Sequence, residues 1–522
     1  MRLHLRALAR ILLQHIGNVS IVQKGWYPMR QSGILLHILS LPGQGGIGTM
    51  GKEARNFVDF LKKSGMRLWQ MLPVGPTGYG ESPYQCSSIF AGNPLMISLE
   101  TLVEEGLLTM SPDEQFVPAR EDQIDYEAVK PHKEAMLRRA FAQSESKLAD
   151  EIAQFEKDHS WVADFSLFTA VKRHFDYKMW SQWPDDGIRL REASAIQRYR
   201  EMLDEEIRYN TFVQYIFFKQ WFELKKYAND NGVKLFGDMP IYVAEDSADT
   251  WTRPDVFQMD KNRVPRRVAG VPPDYFSADG QLWGNPLYRW QYLRDRGFDW
   301  WVDRMAAMGE MFDVVRIDHF IGFANYFSIA HGAPNARNGR WIVGPGKALF
   351  DTLRKALPSL NIIAEDLGSV NDRVRRLLDY CAYPGMRVLS FGFGAGEDNP
   401  HLADNYVENS VVYTGTHDNV TVRGWIDAAD EESLKHAMEY LGFDKPEDGP
   451  TAFVEKVMES VADTCMIPMQ DVLGLDGSAR MNLPGTIGGN WMWRMLPGAA
   501  SDEVSERLHA LNVKNKRCAS EA

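Results

Sequence analysis

Eight short apolar runs, most of them followed by an amphipathic stretch, limit the fold of this chain more than any other feature. In order they are GILLHILS (33–40), RLWQMLPV (67–74), KLFGDMPIYV (234–243), VVRIDHF (314–320), NIIAEDLG (361–368), MRVLSFGF (386–393), SVVYTGTHD (410–418) and MIPMQDVLGL (466–475). Near-continuous apolar strands are what a parallel sheet needs when helices cover it. Spacing places helices between them. Ala54, Phe57, Val58 and Leu61 fall at i, i+3, i+4 and i+7, with Gly65 as a stop. Pro345 stands at a first helical position ahead of Leu349, Leu353 and Leu357, which recur every fourth residue. A strand-helix alternation counted to eight predicts an α/β chain closed into a (β/α)8 barrel rather than an open sheet.

Two intervals, 75–233 and 244–313, are too long for simple crossovers and read as inserted, largely helical subdomains. The middle of the first, about 120–210, is charged and mainly helical, and its end, TFVQYIFFKQWFELKKYAND, reads as an apolar helix against the barrel. Residues 29–522 are thus expected to form one catalytic barrel with these two insertions. Residues 1–28 carry Arg2, Arg6, Arg10 and Lys24, and the first acidic residue of the chain is Glu53. As a targeting segment they would be amphipathic and Arg-bearing, yet they hold little Ser and no small-residue cleavage site. We read them as a leader without a structural role, because the recognisable pattern begins directly after Met29.

Composition narrows the function. A net charge of -12 disfavours nucleic acid or anionic lipid as the main partner, and no stretch is long and apolar enough to span a bilayer. A neutral substrate suits this balance. Cys86, Cys381, Cys465 and Cys518 lack CxxC spacing and His neighbours at metal-ligand intervals, so they read as reduced thiols in a cytoplasmic protein. No metal or other cofactor is expected.

In such a barrel the active site lies at the C-terminal ends of the strands, so polar residues ending an apolar run are the candidates. Asp318 ends VVRIDHF, Glu365 follows NIIA and Asp418 ends VVYTGTHD, and closure brings all three round one mouth. Retaining glycoside chemistry needs such a set: one ionised carboxylate attacks the anomeric carbon while another, protonated, donates to the leaving oxygen. Arg316, two residues before Asp318, points to the same side of its strand. Its charge is expected to hold Asp318 low and ionised, and a neighbouring carboxylate to raise Glu365. Any one of these acids could equally be an ion-pair partner or helix cap; three on one rim favour chemistry.

The motifs RIDHF, IIAEDLG and GTHDN occur in order over about a hundred residues, between SGILLHILSLPGQGGIGTMG at one end and ARMNLPGTIGGNWMWR at the other. With RLWQMLPVGPTGYGESPYQCSSIFAGNPL, GDMPIYVAEDSADTW and GVPPDYFSADGQLWGNPLY, they resemble the 4-alpha-glucanotransferases, the amylomaltase or disproportionating enzymes of the α-amylase clan, over about residues 30–496. The resemblance implies that Asp318 is the nucleophile, Glu365 the general acid/base and Asp418 the transition-state stabiliser. It further implies substrate contacts from Tyr84, Asp238, Gln281, Trp283, Arg316, His319, Asp366, His417 and Asn482. Tyr79 resembles a secondary glucan-contact tyrosine, although a packed loop aromatic fits it as well. The implied partners are α-1,4-glucans, from maltooligosaccharides to amylose, glycogen or starch fragments, with glucose or a maltooligosaccharide as acceptor.

GVPPDYFSADGQLWG resembles the family's loop over the active site, and its Gly and Pro content suits a shaped lid that excludes water. Val420, Leu39 and Ser390 stand where the family more commonly has polar residues, which bears on acceptor preference and product size. The competing readings are a glucan hydrolase of the same clan, a noncatalytic glucan-binding barrel, and a metal-dependent barrel enzyme. The second would be marked by loss of an acid and the third by a His-rich strand-end cluster. The leader reading has a direct check. A protein starting at Met29 should fold and disproportionate maltotriose like the full chain, and insolubility or inactivity would show residues 1–28 to be structural.

Overall fold

The computed structural model describes residues 30–78, 80–273, 277–368, 370–394 and 396–518; the 1–28 leader and Tyr79 lie outside them. Each of the eight apolar runs contributes one strand: β1 (Gln31–Leu35), β2 (Leu68–Gln70), β3 (Lys234–Pro240), β4 (Val314–Asp318), β5 (Ile362–Ala364), β6 (Gly385–Val388), β7 (Ser410–Tyr413) and β8 (Thr464–Pro468). They close into a parallel barrel in that order, and β8 returns to β1 with Gln31 opposite Thr464.

The runs are apolar throughout because both strand faces are covered. Leu68, Phe236, Val314, Ile363, Met386, Val411 and Met466 fill the barrel interior. Alternate residues such as Trp69, Val315, Ile317, Val412 and Ile467 belong to the larger core under the helices. Toward the C-terminal mouth the interior turns polar: Gln70, Asp238 and Arg316 are all buried there, and Tyr413 Oη donates to Gln70 Oε1 (2.9 Å).

Helix Lys52–Lys63 buries Ala54, Phe57, Val58 and Leu61, the four residues of the expected spacing, and Gly65 follows in the left-handed region (φ 71°). The helix after β4 differs from expectation at its start. It runs Lys347–Ala356, so Pro345 precedes it rather than opening it. The reason is Gly346, whose φ of 57° and ψ of -143° cannot belong to a right-handed helix. Among the described residues no α-helix joins β6 to β7; single 3-10 turns at Leu389–Phe391 and Ala403–Asn405 cover that side.

Between β2 and β3 the chain forms several helices, including Tyr126–Ser144, Val162–His174 and the long Asp204–Asp230. The last is held to the barrel layer by Trp221, whose indole N–H donates to Met311 O (3.1 Å) and whose ring meets Phe312 edge-on (5.1 Å). A second small core packs Phe168, Trp180 and Trp183 of this region against Trp251 of the helix Ala248–Thr252, which follows β3. Between β3 and β4, sequence reasoning did not separate out two strands, Arg267–Val271 and Gln281–Pro286. They join Asn325–Ala330 and Arg340–Val343, which follow β4, in a four-stranded antiparallel sheet.

Gly33 illustrates how tightly the barrel closes. A Cβ there would stand 2.3 Å from Leu68 O, 2.5 Å from Leu68 Cβ and 2.8 Å from Met466 Cε. The nearest of these is backbone, which cannot swing aside, so the extra methyl overpacks the interior. Gly33→Ala should therefore destabilise by about 1–3 kcal/mol, seen as an earlier thermal transition in circular dichroism. An unchanged transition would show that the β1–β2 contact has slack.

Candidate active site

The site is assembled around β4, where strand alternation turns Arg316 and Asp318 to the inside. In the register, Asp238 on β3 is paired with Arg316. The guanidinium donates from Nη1 to both oxygens of Asp238 (2.7 Å each) and from Nη2 to Asp318 Oδ1 (2.9 Å). Tyr84, on the loop after β2, donates its hydroxyl to Asp238 Oδ2 (2.6 Å). Its ring stacks on His417 (centroids 5.1 Å apart, 16° between planes). His417 Nε2 stands 3.4 Å from Asp418 Oδ1, and Asn482 Nδ2 donates to that same oxygen (2.7 Å). A continuous series of contacts thus links Asp318 to Asp418 across the mouth.

Glu365 follows β5 and is buried. Its two oxygens accept from the backbone N–H groups of His319 (2.6 Å) and Leu367 (2.7 Å). His319, directly after Asp318, holds a left-handed conformation (φ 52°, ψ 46°), a turn rare for a non-glycine residue that places its N–H on Glu365. The antiparallel sheet reaches the same group through Trp283, which meets the His319 ring edge-on (4.8 Å) while its indole N–H donates to Gln281 Oε1 (3.0 Å).

Of the residues singled out from sequence, the structure brings together Asp318, Glu365, Asp418, Tyr84, Asp238, Gln281, Trp283, Arg316, His319, His417 and Asn482 through these contacts. Asp366 is not among them. Its carboxylate accepts from Met386 N–H (2.7 Å) and Arg387 Nη1 (3.1 Å), which ties β5 to β6. Residues 274–276 of the expected lid lie outside the described residues; next to them, Asp279 forms an ion pair with Arg337 (Nε–Oδ1 2.6 Å) and accepts from Asn335 Nδ2 (3.3 Å). Sequence reasoning passed over Arg480, which donates to the backbone oxygens of Asp418 and Asn482 (2.6 Å each). It also passed over Trp491, whose ring lies 6.0 Å from Tyr84 and 6.1 Å from His417. Both lie in ARMNLPGTIGGNWMWR, from which only Asn482 was drawn.

The electrostatics correct one expectation. Arg316 does not hold Asp318 below the usual carboxylate range; burial pushes Asp318 up to about 7 against the pull of Arg316. The guanidinium is shared with Asp238, which takes two of its bonds and adds a second negative charge beside Asp318. Burial, and then the charge of Asp318, pushes Glu365 up to about 8 despite its two backbone N–H bonds. Burial lowers His319 to about 4 and also lowers His417, so both imidazoles are neutral at pH 7. Among the described residues no group of three or more His, Cys, Asp or Glu is placed to hold a metal ion, and no helix is long and apolar enough to cross a membrane.

Two adjoining carboxyl groups, one bonded to Arg316 and one to backbone N–H groups, and a third beside a neutral histidine, on the rim of a (β/α)8 barrel, suit acid-assisted nucleophilic displacement at a glycosidic carbon. Comparison with known proteins agrees. A family model described as 4-alpha-glucanotransferase matches residues 36–499. The chain is 44% identical to a 4-alpha-glucanotransferase of Thermus thermophilus, over 94% of this chain and 99% of that one. It is 42% identical to that of Clostridium butyricum, over 92% of this chain and the whole of the other. Its fold superposes on an amylomaltase from Streptococcus agalactiae solved in complex with acarbose, with a TM-score of 0.91 and 40% identity, covering 94% of this chain and all of that one. On sequence, fold and site together, the chain belongs to the 4-alpha-glucanotransferase family.

Proposed function

We propose that this transferase moves α-1,4-glucan segments by a retaining double displacement in which Asp318 is the nucleophile, Glu365 the general acid/base and Asp418 the stabiliser of the transition state. The observation that carries the assignment is the contrast between Asp318, bonded to Arg316 with its side chain 29% exposed to the cleft, and Glu365, buried and raised further. In the first step the Asp318 carboxylate attacks the anomeric carbon, the glycosidic C–O bond breaks, and Glu365 gives its proton to the departing oxygen. The shortened glucan leaves. In the second step Glu365 takes the proton of an acceptor 4-hydroxyl, whose oxygen attacks the same carbon and releases Asp318.

Asp418 holds one oxygen on Asn482 and keeps its side chain 47% exposed, which suits a carboxylate that binds sugar hydroxyls as charge develops on the ring. Tyr84, Trp283, His319, His417, Asn482 and Gln281 are assigned to substrate contact. Arg316 and Asp238 supply the fixed charges beneath them. Glucose and maltooligosaccharides are the acceptors on this reading, and a cleft closed against water would give them the advantage over hydrolysis. Maltotriose alone should yield a ladder of longer and shorter oligosaccharides; glucose and maltose without longer products would make the protein a hydrolase.

The roles are separable by substitution. Asp318→Ala should abolish turnover, and Glu365→Ala should be inert with natural glucans but still react with an α-glycosyl fluoride, whose leaving group needs no proton. Asp418→Asn should lower kcat on the order of 10²-fold or more with a smaller change in KM. Labelling of any residue other than Asp318 by a trapped fluoride donor would refute the nucleophile.

The pH dependence follows from the same pair. Activity should fall as pH drops through about 7, where Asp318 gains a proton and stops being a nucleophile. It should fall again as pH rises through about 8, where Glu365 loses the proton it must donate. The two limbs belong to the coupled pair and should appear as a narrow bell in kcat/KM. With Glu365→Gln and a fluoride donor the alkaline limb of the first step should vanish. Its persistence would assign that limb to another group.

A further inference from the structure

His37 follows β1 at the C-terminal mouth, just ahead of the 3-10 turn Ile38–Ser40. It is buried, and its Nδ1 has no hydrogen-bond partner. A buried polar atom left in this way is costly, and one beside a reaction site calls for an explanation. His37 and His417 line one small cavity, together with Thr416, Asn419, Gln470 and Arg480, with room for a water molecule. The two imidazoles are close enough for the charge of one to act on the other. His417 also presents Nε2 to Asp418 Oδ1 at 3.4 Å, and its ring carries the stacked Tyr84.

We propose that His37 is a positioning residue that holds, through a water in this cavity, the His417 imidazole with its Nε2–H directed at Asp418. The inference rests on the assignment of His417 and Asp418 to the substrate side of the reaction. Two adjacent neutral imidazoles each offer one donor and one acceptor, so a water between them satisfies Nδ1 of His37 and gives the His417 nitrogen that does not face Asp418 a fixed hydrogen-bond partner. A hydrophobic residue at position 37 would leave that water without its second anchor, and the His417 ring held by the Tyr84 stack alone on this side. Buried Asp471 and Thr421 line the same cavity, with Leu35, Leu36 and Leu72 on its apolar side.

Three variants test this. Asparagine places an amide where Nδ1 stands, glutamine reaches instead toward the Nε2 position, and leucine fills the volume without a polar atom. His37→Asn should keep kcat within about three-fold, while His37→Leu and His37→Gln should lower it about ten-fold with KM within about two-fold, as expected when transition-state contacts alone are disturbed. A purely structural histidine predicts otherwise: leucine, which removes an unpaired buried atom, should leave kcat unchanged and raise the melting temperature. Wild-type kcat in His37→Leu, or equal losses in the asparagine and glutamine variants, would overturn the proposal, and the second comparison stands even if the leucine variant fails to fold. Added to His417→Ala, His37→Leu should cause no further loss, because its effect passes through the missing ring. A full additional loss would also overturn it. A slow Asp418→Asn beside an unaffected His37→Leu defeats this inference alone, whereas an unaffected Asp418→Asn defeats the assignment beneath it.

Discussion

The mouth of the barrel depends on one buried cation. Arg316, with its side chain 5% exposed, sits between Asp238, fully buried, and Asp318, which opens on the cleft. Desolvating a guanidinium is expensive, and here it is offset by two carboxylates and by three short, charge-assisted hydrogen bonds. Removing either partner of such a buried pair typically costs about 3–5 kcal/mol, since the remaining charge is stranded. The arrangement is therefore rigid, which is what a reacting carboxylate needs if its position is to be fixed before substrate arrives.

Rigidity does not make Asp318 strongly acidic. One positive charge faces two negative ones in a site that solvent reaches only from the cleft, so burial outweighs the ion pair and both Asp318 and Glu365 are raised. What separates them is their surroundings. Asp318 keeps a direct bond to Arg316, whereas Glu365 is bonded to two backbone N–H groups and feels the charges of Asp318 and Arg316 without a bond to either. The backbone turn at His319 couples the two: the residue after Asp318 supplies a hydrogen bond to Glu365, so the relative placement of the pair is set by the main chain.

The antiparallel sheet extends this logic outward. Its strands come from both sides of β4, and its edge strand Gln281–Pro286 brings Trp283 against His319. The sheet is thereby a rigid arm that carries an aromatic ring to the cleft, while Asp279, Arg337 and Asn335 secure the turn before it. Loops that bear binding groups on a stable scaffold are the usual division of labour in such barrels.

The eight barrel strands and helix Lys52–Lys63 were legible in the sequence, because strand and helix burial each impose a period that a single chain displays. The strand-end acids were legible for the same reason: a charged residue closing an apolar run marks the point where the interior meets the mouth. Three things were not. The antiparallel sheet pairs Arg267–Val271 with Asn325–Ala330, about sixty residues further on, and no local period announces such a pairing. His37 and Arg480 gain their significance from neighbours hundreds of residues away or across the mouth, His417 and Asp418. The acidity of Asp318 was read from Arg316 alone, two positions away on the same strand, but it is decided by desolvation and by Asp238, on the neighbouring strand β3. Sequence determines periodicity and the identity of charged groups; how much water each one loses, and which charges it must share, exists only once the barrel has closed.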